Sequence, residues 1–384
     1  MKQIYANLKR YFIATDKMLL LAVMLCSAIS CVMLYAIAEN ELIDKVSHGT
    51  FRTQLIASGL GLCVVAVLSI IDYNRIIKLW WIYAPIALGL VLLTFTSLGY
   101  KRAGADDQAW LSIAGFQLQP SELLKLAFIL SFSYHLAKDE ENMNKLPHML
   151  LLCLHALVPI GLVALQGDYG TAIVFAFIFM SIILSAKIAM RYIVAAAIAI
   201  PAACFLAWNF LLSDMHKARI LVLIHPGTDP IGLEYQQDLG LSALAHGKIF
   251  GAGLLDADYY VTVPEMHNDF IFSFVGQTWG FIGSLLVLVL LTFICLRVLT
   301  SMMNSKNAQG RFICIGTFGM LFAHCVMNIG MVLKVMPVIG VPLPFMSAGG
   351  TAVVCMYTAI GIVNSTRCHN VRKYRVFYDA EPEN

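Results

Sequence analysis

The chain reads as an all-α integral membrane protein of about ten transmembrane helices, and three observations predict it. Of its 384 residues 59% are hydrophobic and only 13% are Asp, Glu, Lys or Arg, about half the charge of an ordinary soluble domain. The apolar residues lie in long continuous runs, each near the roughly 20 residues that carry a helix across a bilayer. Lys and Arg also fall unevenly between alternate connections, as sidedness in a membrane requires. This composition excludes a soluble enzyme, a secreted disulfide scaffold and a disordered chain. A net charge of +3 gives no general attraction to nucleic acid.

Taken in order, the predicted spans are 18–38, 54–71, 79–98, 122–137, 149–165, 170–186, 192–212, 270–296, 312–333 and 347–364. The first follows Lys2, Lys9, Arg10 and Lys17; it is too long for a cleavable signal core and lacks an AxA-type site. Lys45 and Arg52 separate it from the second, and Arg75 and Lys78 separate the second from the third. Lys101 and Arg102 precede the fourth, Lys138 and Lys145 follow it, and Lys187 and Arg191 divide the sixth from the seventh. Arg297, Lys306 and Arg311 part the eighth from the ninth, Lys334 follows the ninth, and Arg367 to Arg375 follow the tenth. Placing the N-terminus in the cytoplasm puts 17 of the 26 basic residues on that side and eight outside, with Lys125 inside a span. Both termini are then cytoplasmic. The tail from Arg367 reads as a site for anionic headgroups.

This topology places one large extracytoplasmic loop, about 213–269, between helices 7 and 8. It is too rich in Asp, Pro, Gly and His for a linker, and is expected to fold over the helices. Residues 335–350 are apolar but carry Pro337, Pro342 and Pro344, which fits a re-entrant or broken segment packed in protein at the outer side. The chain reads as a single polytopic domain over 1–384, without internal repeats. Nine of the ten cysteines lie in apolar runs and none is at metal spacing, so they read as packing residues.

Ionisable residues at membrane depth are functional candidates because they are expensive there. In Gln119-Pro-Ser-Glu122-Leu-Leu-Lys125, Glu122 and Lys125 stand three apart on one helix face and can pair, either as a structural ion pair or lining a polar cavity open to the outer leaflet. In the turn Gln166-Gly-Asp168-Tyr-Gly-Thr171, Asp168 suits a helix N-cap. Arg219, Asp229, Glu234 and Lys248 are charges of the outer loop. The densest group is Val263-Pro-Glu265-Met-His267-Asn-Asp269, directly before an apolar span. Asp269 is expected to cap that span or, partly desolvated, to act as a general base. His267 reads as a hydrogen-bonding residue rather than a metal ligand.

Together these segments resemble the SEDS family (shape, elongation, division and sporulation), most closely its RodA branch. Gln119 to Lys125 resembles the family's QPSE-xx-K, and Asp168-Tyr-Gly-Thr171 its DLGT turn. Asp229-Pro-Ile-Gly232 and Gly247 to Gly253 resemble its loop motifs. Pro264 to Phe272 resembles PE-x-H-x-DFIF. Asn328 to Val332, then Pro342-Leu-Pro-Phe-Met-Ser347 with Gly349 and Gly350, resembles the RodA ending.

The resemblance implies a peptidoglycan glycosyltransferase polymerising lipid II at the outer face of the cytoplasmic membrane. It implies Asp269 as the base taking the proton of the acceptor GlcNAc 4-hydroxyl, with inversion at C1 of an undecaprenyl-linked glycan donor. Glu122, Lys125, Asp168, Arg219, Asp229, Lys248, Glu265 and His267 become substrate-binding candidates. Lys125, Arg219, Lys248 or a divalent cation (Mg²⁺ or Mn²⁺) would assist the departing pyrophosphate. The implied partners are a class B penicillin-binding protein and other membrane proteins of the elongation complex. The chain departs from the family at Ala109, Leu239-Gly240, Gln277-Thr278, Gly167 and Ala348. A lipid II flippase or an inactive scaffold is the alternative.

Overall fold

The computed structural model describes residues 14–43, 46–101, 107–113, 116–225, 227, 234–254 and 260–370. Helices occupy all ten predicted segments: α1 (Lys17–Glu39), α2 (His48–Ile70), the short α3 (Tyr73–Lys78) with α4 (Trp80–Leu93), α5 (Pro120–Asp139), α6 (Leu146–Leu165), α7 (Tyr169–Ser185), α8 (Met190–Leu206), α11 (Ile271–Met303), α12 (Ala308–Val332) and α13 (Gly350–Asn370). The long connection between α8 and α11 adds α9 (Asp214–Ile224) and α10 (Tyr235–His246). Among the described residues six helices are long and apolar enough to cross a membrane: α1, α2, α6, α8 with the π turn Ala207–Leu211, α11 and α12. The shorter α4 and α7 are also apolar. This is a multi-pass membrane protein, and apolar side chains such as Leu55, Ile56, Leu60, Ile198 and Phe205 face outward, as lipid contact requires.

Side-chain caps start several helices: Asp16 accepts from Leu19 N at 3.1 Å and Asn307 from Gly310 N at 2.9 Å. The third span ends earlier than the sequence suggested, at Leu93 rather than 98. The Thr94 and Thr96 hydroxyls turn back onto Val91 O and Leu93 O, and the chain leaves the helix there. The connection after it is not helical. β1 (Gly99–Tyr100), β2 (Trp110–Ile113) and β3 (Phe116–Leu118) form an antiparallel sheet in the order β1-β2-β3, with Tyr100 opposite Trp110 and Leu111 opposite Leu118. β3 runs directly into Gln119 and Pro120, so the sheet aims the start of α5.

α12 is central and packs on α5, α7, α11 and α13, while α2 lies along α13. A Cβ on Gly61 would meet the Tyr357 ring at 2.5 Å, so the bare glycine sets the α2–α13 approach. At one end of the bundle Asp16 accepts from Arg297 and Arg367, each with a contact of 2.7 Å, joining the start of α1 to the ends of α11 and α13. Arg367 is therefore paired rather than presented to headgroups; 371–375 lie outside the described residues.

α11 is broken at Gly280 (φ 66°, ψ −159°), a conformation open essentially to glycine. The Gly247–Gly253 stretch plugs the break: Ala252 N donates to Gln277 O at 2.9 Å and Gly253 N to Thr278 O at 3.1 Å. In return Phe281 N donates to Lys248 O at 2.9 Å and Ile282 N to Ile249 O at 3.3 Å. This part of the long connection between α8 and α11 thus folds onto the bundle. Gly280→Ala would place a Cβ 2.4 Å from Ile249 O. It is expected to destabilise the protein by about 1–3 kcal/mol through backbone strain alone, read as a lowered unfolding temperature in detergent.

Candidate active site

At the end of the bundle opposite Asp16, side chains from five helices meet on the proline-rich segment between α12 and α13. Its prolines lack an N–H and its backbone makes no regular ladder, so its carbonyls need other donors. Side chains supply them one by one. Gln237 Nε2 donates to Met336 O at 2.8 Å and Arg219 Nη1 to Val338 O at 3.2 Å. Asn328 Nδ2 donates to Val341 O at 2.8 Å, and His324 Nδ1 to Pro342 O at 2.9 Å. Ser30 donates to Met346 O, and Gln54 Nε2 to Ser347 O at 3.3 Å. The segment is non-helical and largely buried from Val341 to Ser347, as its prolines predict.

Asp269 sits against this segment. Its carboxylate oxygen Oδ2 lies 3.7 Å from where a Cβ would stand on Gly340, which has φ 64°. Its carbonyl accepts from Asn328 Nδ2 at 2.8 Å, and the neighbouring Asn268 carbonyl accepts from Ser347 Oγ at 2.6 Å. Ala348 N donates to His267 O at 2.9 Å. Asp269 is half-buried. α11 begins after Phe270 without a side-chain cap, so Asp269 is not spent on capping it.

The ion pair read from sequence forms at 2.8 Å between Lys125 Nζ and Glu122 Oε1. It is closed rather than lining an open cavity, with Glu122 2% and Lys125 1% exposed. The Glu122 Oε2 atom has no partner among the described residues. Lys125 Nζ also meets His324 Nε2 at 2.8 Å. His324 escaped the sequence reading, although an ionisable residue inside a predicted span was itself a signal.

Asp168 caps α7, accepting from Thr171 N at 2.9 Å, and accepts from Gln119 Nε2 at 3.0 Å. This ties the α6–α7 turn to the start of α5. The next residue but one, Gly170, packs under the proline-rich segment, where a Cβ would lie 2.4 Å from Ile339 O. Burial pushes the Asp168 carboxyl up to about 6, with nearby Asp107 adding to the rise. A carboxyl so raised binds more protons folded than unfolded between about pH 4 and 6, so stability falls as pH rises through that window. The fall is expected to reach about 3 kcal/mol. Asp168→Asn keeps the cap acceptor and is expected to remove this limb from a plot of unfolding temperature against pH.

The remaining candidates separate. Glu265 (φ 56°) holds Asn268 Nδ2 at 3.0 Å and His267 Nε2 at 3.7 Å, shaping the turn before Asp269. Arg219 reaches the proline-rich segment as above. Lys248 sits by its backbone at the α11 break. Asp229 lies outside the described residues. Glu234 is drawn to Lys334 at 2.7 Å, which clamps α10 to the end of α12 and holds its carboxyl below the usual range. Among the described residues no three His, Cys, Asp or Glu are gathered to hold a metal ion.

Residues 16–372 match the FtsW/RodA/SpoVE family of cell cycle proteins. The chain belongs to this family. It is 30% identical over 314 residues to the peptidoglycan glycosyltransferase MrdB of Escherichia coli K12, covering 81% of this chain and 83% of that one. It is also 30% identical over 362 residues to the probable peptidoglycan glycosyltransferase FtsW of Geobacter metallireducens, 91% of this chain and 93% of the other. A chain solved in work on the structural coordination of polymerization and crosslinking by a peptidoglycan synthase complex superposes with a TM-score of 0.78 at 26% identity, covering 93% of this chain and 99% of that one. The rod shape determining protein RodA of Thermus thermophilus shares the fold, at a TM-score of 0.66 and 23% identity over 95% of this chain and 98% of that one.

Within this family fold, the positions where the chain departs from the SEDS pattern take packing and backbone roles. Gly167 (φ 87°) forms the left-handed turn before Asp168. Gly240 lies against Phe270, where a Cβ would meet the ring at 2.8 Å. Gln277 Oε1 accepts from Val261 N at 3.1 Å, and the Thr278 hydroxyl bonds back to Phe274 O at 2.9 Å. Ala348 uses its backbone on His267, and Ala109 is fully buried.

Proposed function

We propose that this protein is a peptidoglycan glycosyltransferase that polymerises lipid II at the outer face of the cytoplasmic membrane, serving cell-wall elongation and shape. The observation that supports it most is the convergence, in a chain of this family, of Asp269, the α7 cap and the buried ion pair on one proline-rich segment. Ten spans with both termini cytoplasmic fit the distribution of Lys and Arg. They also fit the hydrogen-bonded grouping of the start of α1 with the ends of α11 and α13.

Asp269 takes the proton of the acceptor 4-hydroxyl as that oxygen attacks C1 of the lipid-linked glycan, with inversion and departure of undecaprenyl pyrophosphate. A positioned base contributes about 10²–10⁴-fold. Arg219, one hydrogen bond from Val338, is the cation best situated to favour the developing pyrophosphate charge. Mg²⁺ or Mn²⁺ bound with the pyrophosphate itself would add to it. A class B penicillin-binding protein would crosslink the strands, a partnership suggested by the synthase complex to which the fold is similar.

A flippase would draw on the same intramembrane charges. Purified protein in vesicles carrying fluorescent lipid II, with and without the transpeptidase and Mg²⁺ or Mn²⁺, separates the readings. Glycan strands without net transbilayer movement are expected. Movement of intact lipid II without strands would support the flippase instead.

A further inference from the structure

The ion pair and Asp269 are each tied by side-chain hydrogen bonds to adjoining carbonyls of the proline-rich segment, and one of the side chains lies outside every motif identified in the sequence. His324 is 1% exposed, on α12. Its Nε2 faces Lys125 Nζ at 2.8 Å and its Nδ1 faces Pro342 O at 2.9 Å. An ammonium can only donate and a carbonyl can only accept, so the two partners fix the imidazole: Nδ1 carries the proton and Nε2 is a lone-pair acceptor. One helical turn further on, Asn328 donates to Val341 O and to Asp269 O, both at 2.8 Å. Two side chains four apart on one face of α12 thus hold consecutive carbonyls of a segment that has few backbone bonds of its own. Gly340, beside the Asp269 carboxylate, is two residues from Pro342.

We infer that His324 is a positioning residue of the transfer site, which fastens Lys125 to the Pro342 carbonyl and so fixes the segment that flanks Asp269. This rests on the reading of Asp269 as the base. An imidazolium could not serve, because its Nε2–H would point at the Lys125 ammonium. An aliphatic side chain would leave both Lys125 and Pro342 O short of a partner in a buried place. Glutamine reproduces the pattern, with Oε1 accepting from Lys125 and Nε2 donating to Pro342 O.

Three forms are compared: wild type, His324→Leu and His324→Gln. The kcat of strand formation from lipid II is expected to fall about 10²-fold in His324→Leu, the scale set by about 1 Å of misplacement, with KM within about twofold. His324→Gln is expected to recover most of that loss. Amide hydrogen exchange over residues 335–349 should rise in the leucine variant and stay near wild type in the glutamine variant. Unchanged exchange and rate in His324→Leu, or a glutamine variant as slow as the leucine one, would overturn the inference. Nitrogen NMR of histidine-labelled wild type gives a check that needs no variant. A protonated Nδ1 with a bare Nε2 is expected at neutral pH, and the opposite tautomer or an imidazolium overturns the assignment. If the wild type makes no strands, the function proposed above fails, whereas exchange and NMR still judge the link.

Discussion

Lys125→Met is expected to destabilise the protein by about 3–5 kcal/mol, the usual consequence of stranding a buried charge. The Glu122 carboxylate is 2% exposed and Lys125 is its only ion-pair partner among the described residues. Without the ammonium, one oxygen loses a 2.8 Å bond and the other already has none. His324 Nε2 loses its donor as well. The double variant Glu122→Leu/Lys125→Met removes both charges and is expected to recover much of the stability, since buried pairs often break even against apolar groups of similar size. Strand formation is expected to stay low in the double variant, because Lys125 no longer holds His324 and the segment beside Asp269. Unfolding temperature and polymerisation rate, measured on the same samples, check both halves. A double variant that regains full activity would mark the pair as purely structural.

Asp269→Asn is expected to reduce strand formation by about 10²–10⁴-fold, the range for a positioned general base, with little change in stability. The substitution keeps size and shape. The hydrogen bond from Asn328 goes to the backbone carbonyl of residue 269 and survives it. α11 starts without a side-chain cap, so its first turn does not hang on the carboxylate. This contrast between the two variants follows from their surroundings: one group is sealed in the bundle, the other half-buried at its end.

Much of this was legible in the sequence because membranes make local patterns decisive. Apolar runs of about 20 residues located every bilayer-spanning candidate. Three-residue spacing predicted the Glu122–Lys125 pair, an apolar run with three prolines predicted the non-helical segment, and Asp168 before Gly170 predicted a cap. The missed features depend on distant partners. His324 meets Lys125 across 199 residues, and a single histidine in an apolar run does not declare what it faces. The break at Gly280 needs the carbonyls and amides of Lys248 to Gly253, which no local pattern around an isolated glycine reveals. The small sheet before α5 is built of strands of two to four residues, too short for alternation to show. The third span looked longer because hydropathy ignores threonine hydroxyls that close a helix. The chemistry was never legible in the residues alone; it entered through resemblance to a family.

In the proposed mechanism the Asp269 carboxylate drives glycan polymerisation. The most direct test is strand formation from lipid II by purified wild type and Asp269→Asn in the same micelles, with unfolding temperatures measured alongside. Long strands are expected from the wild type and almost none from an equally stable variant. Equal strand formation by the two proteins would contradict it.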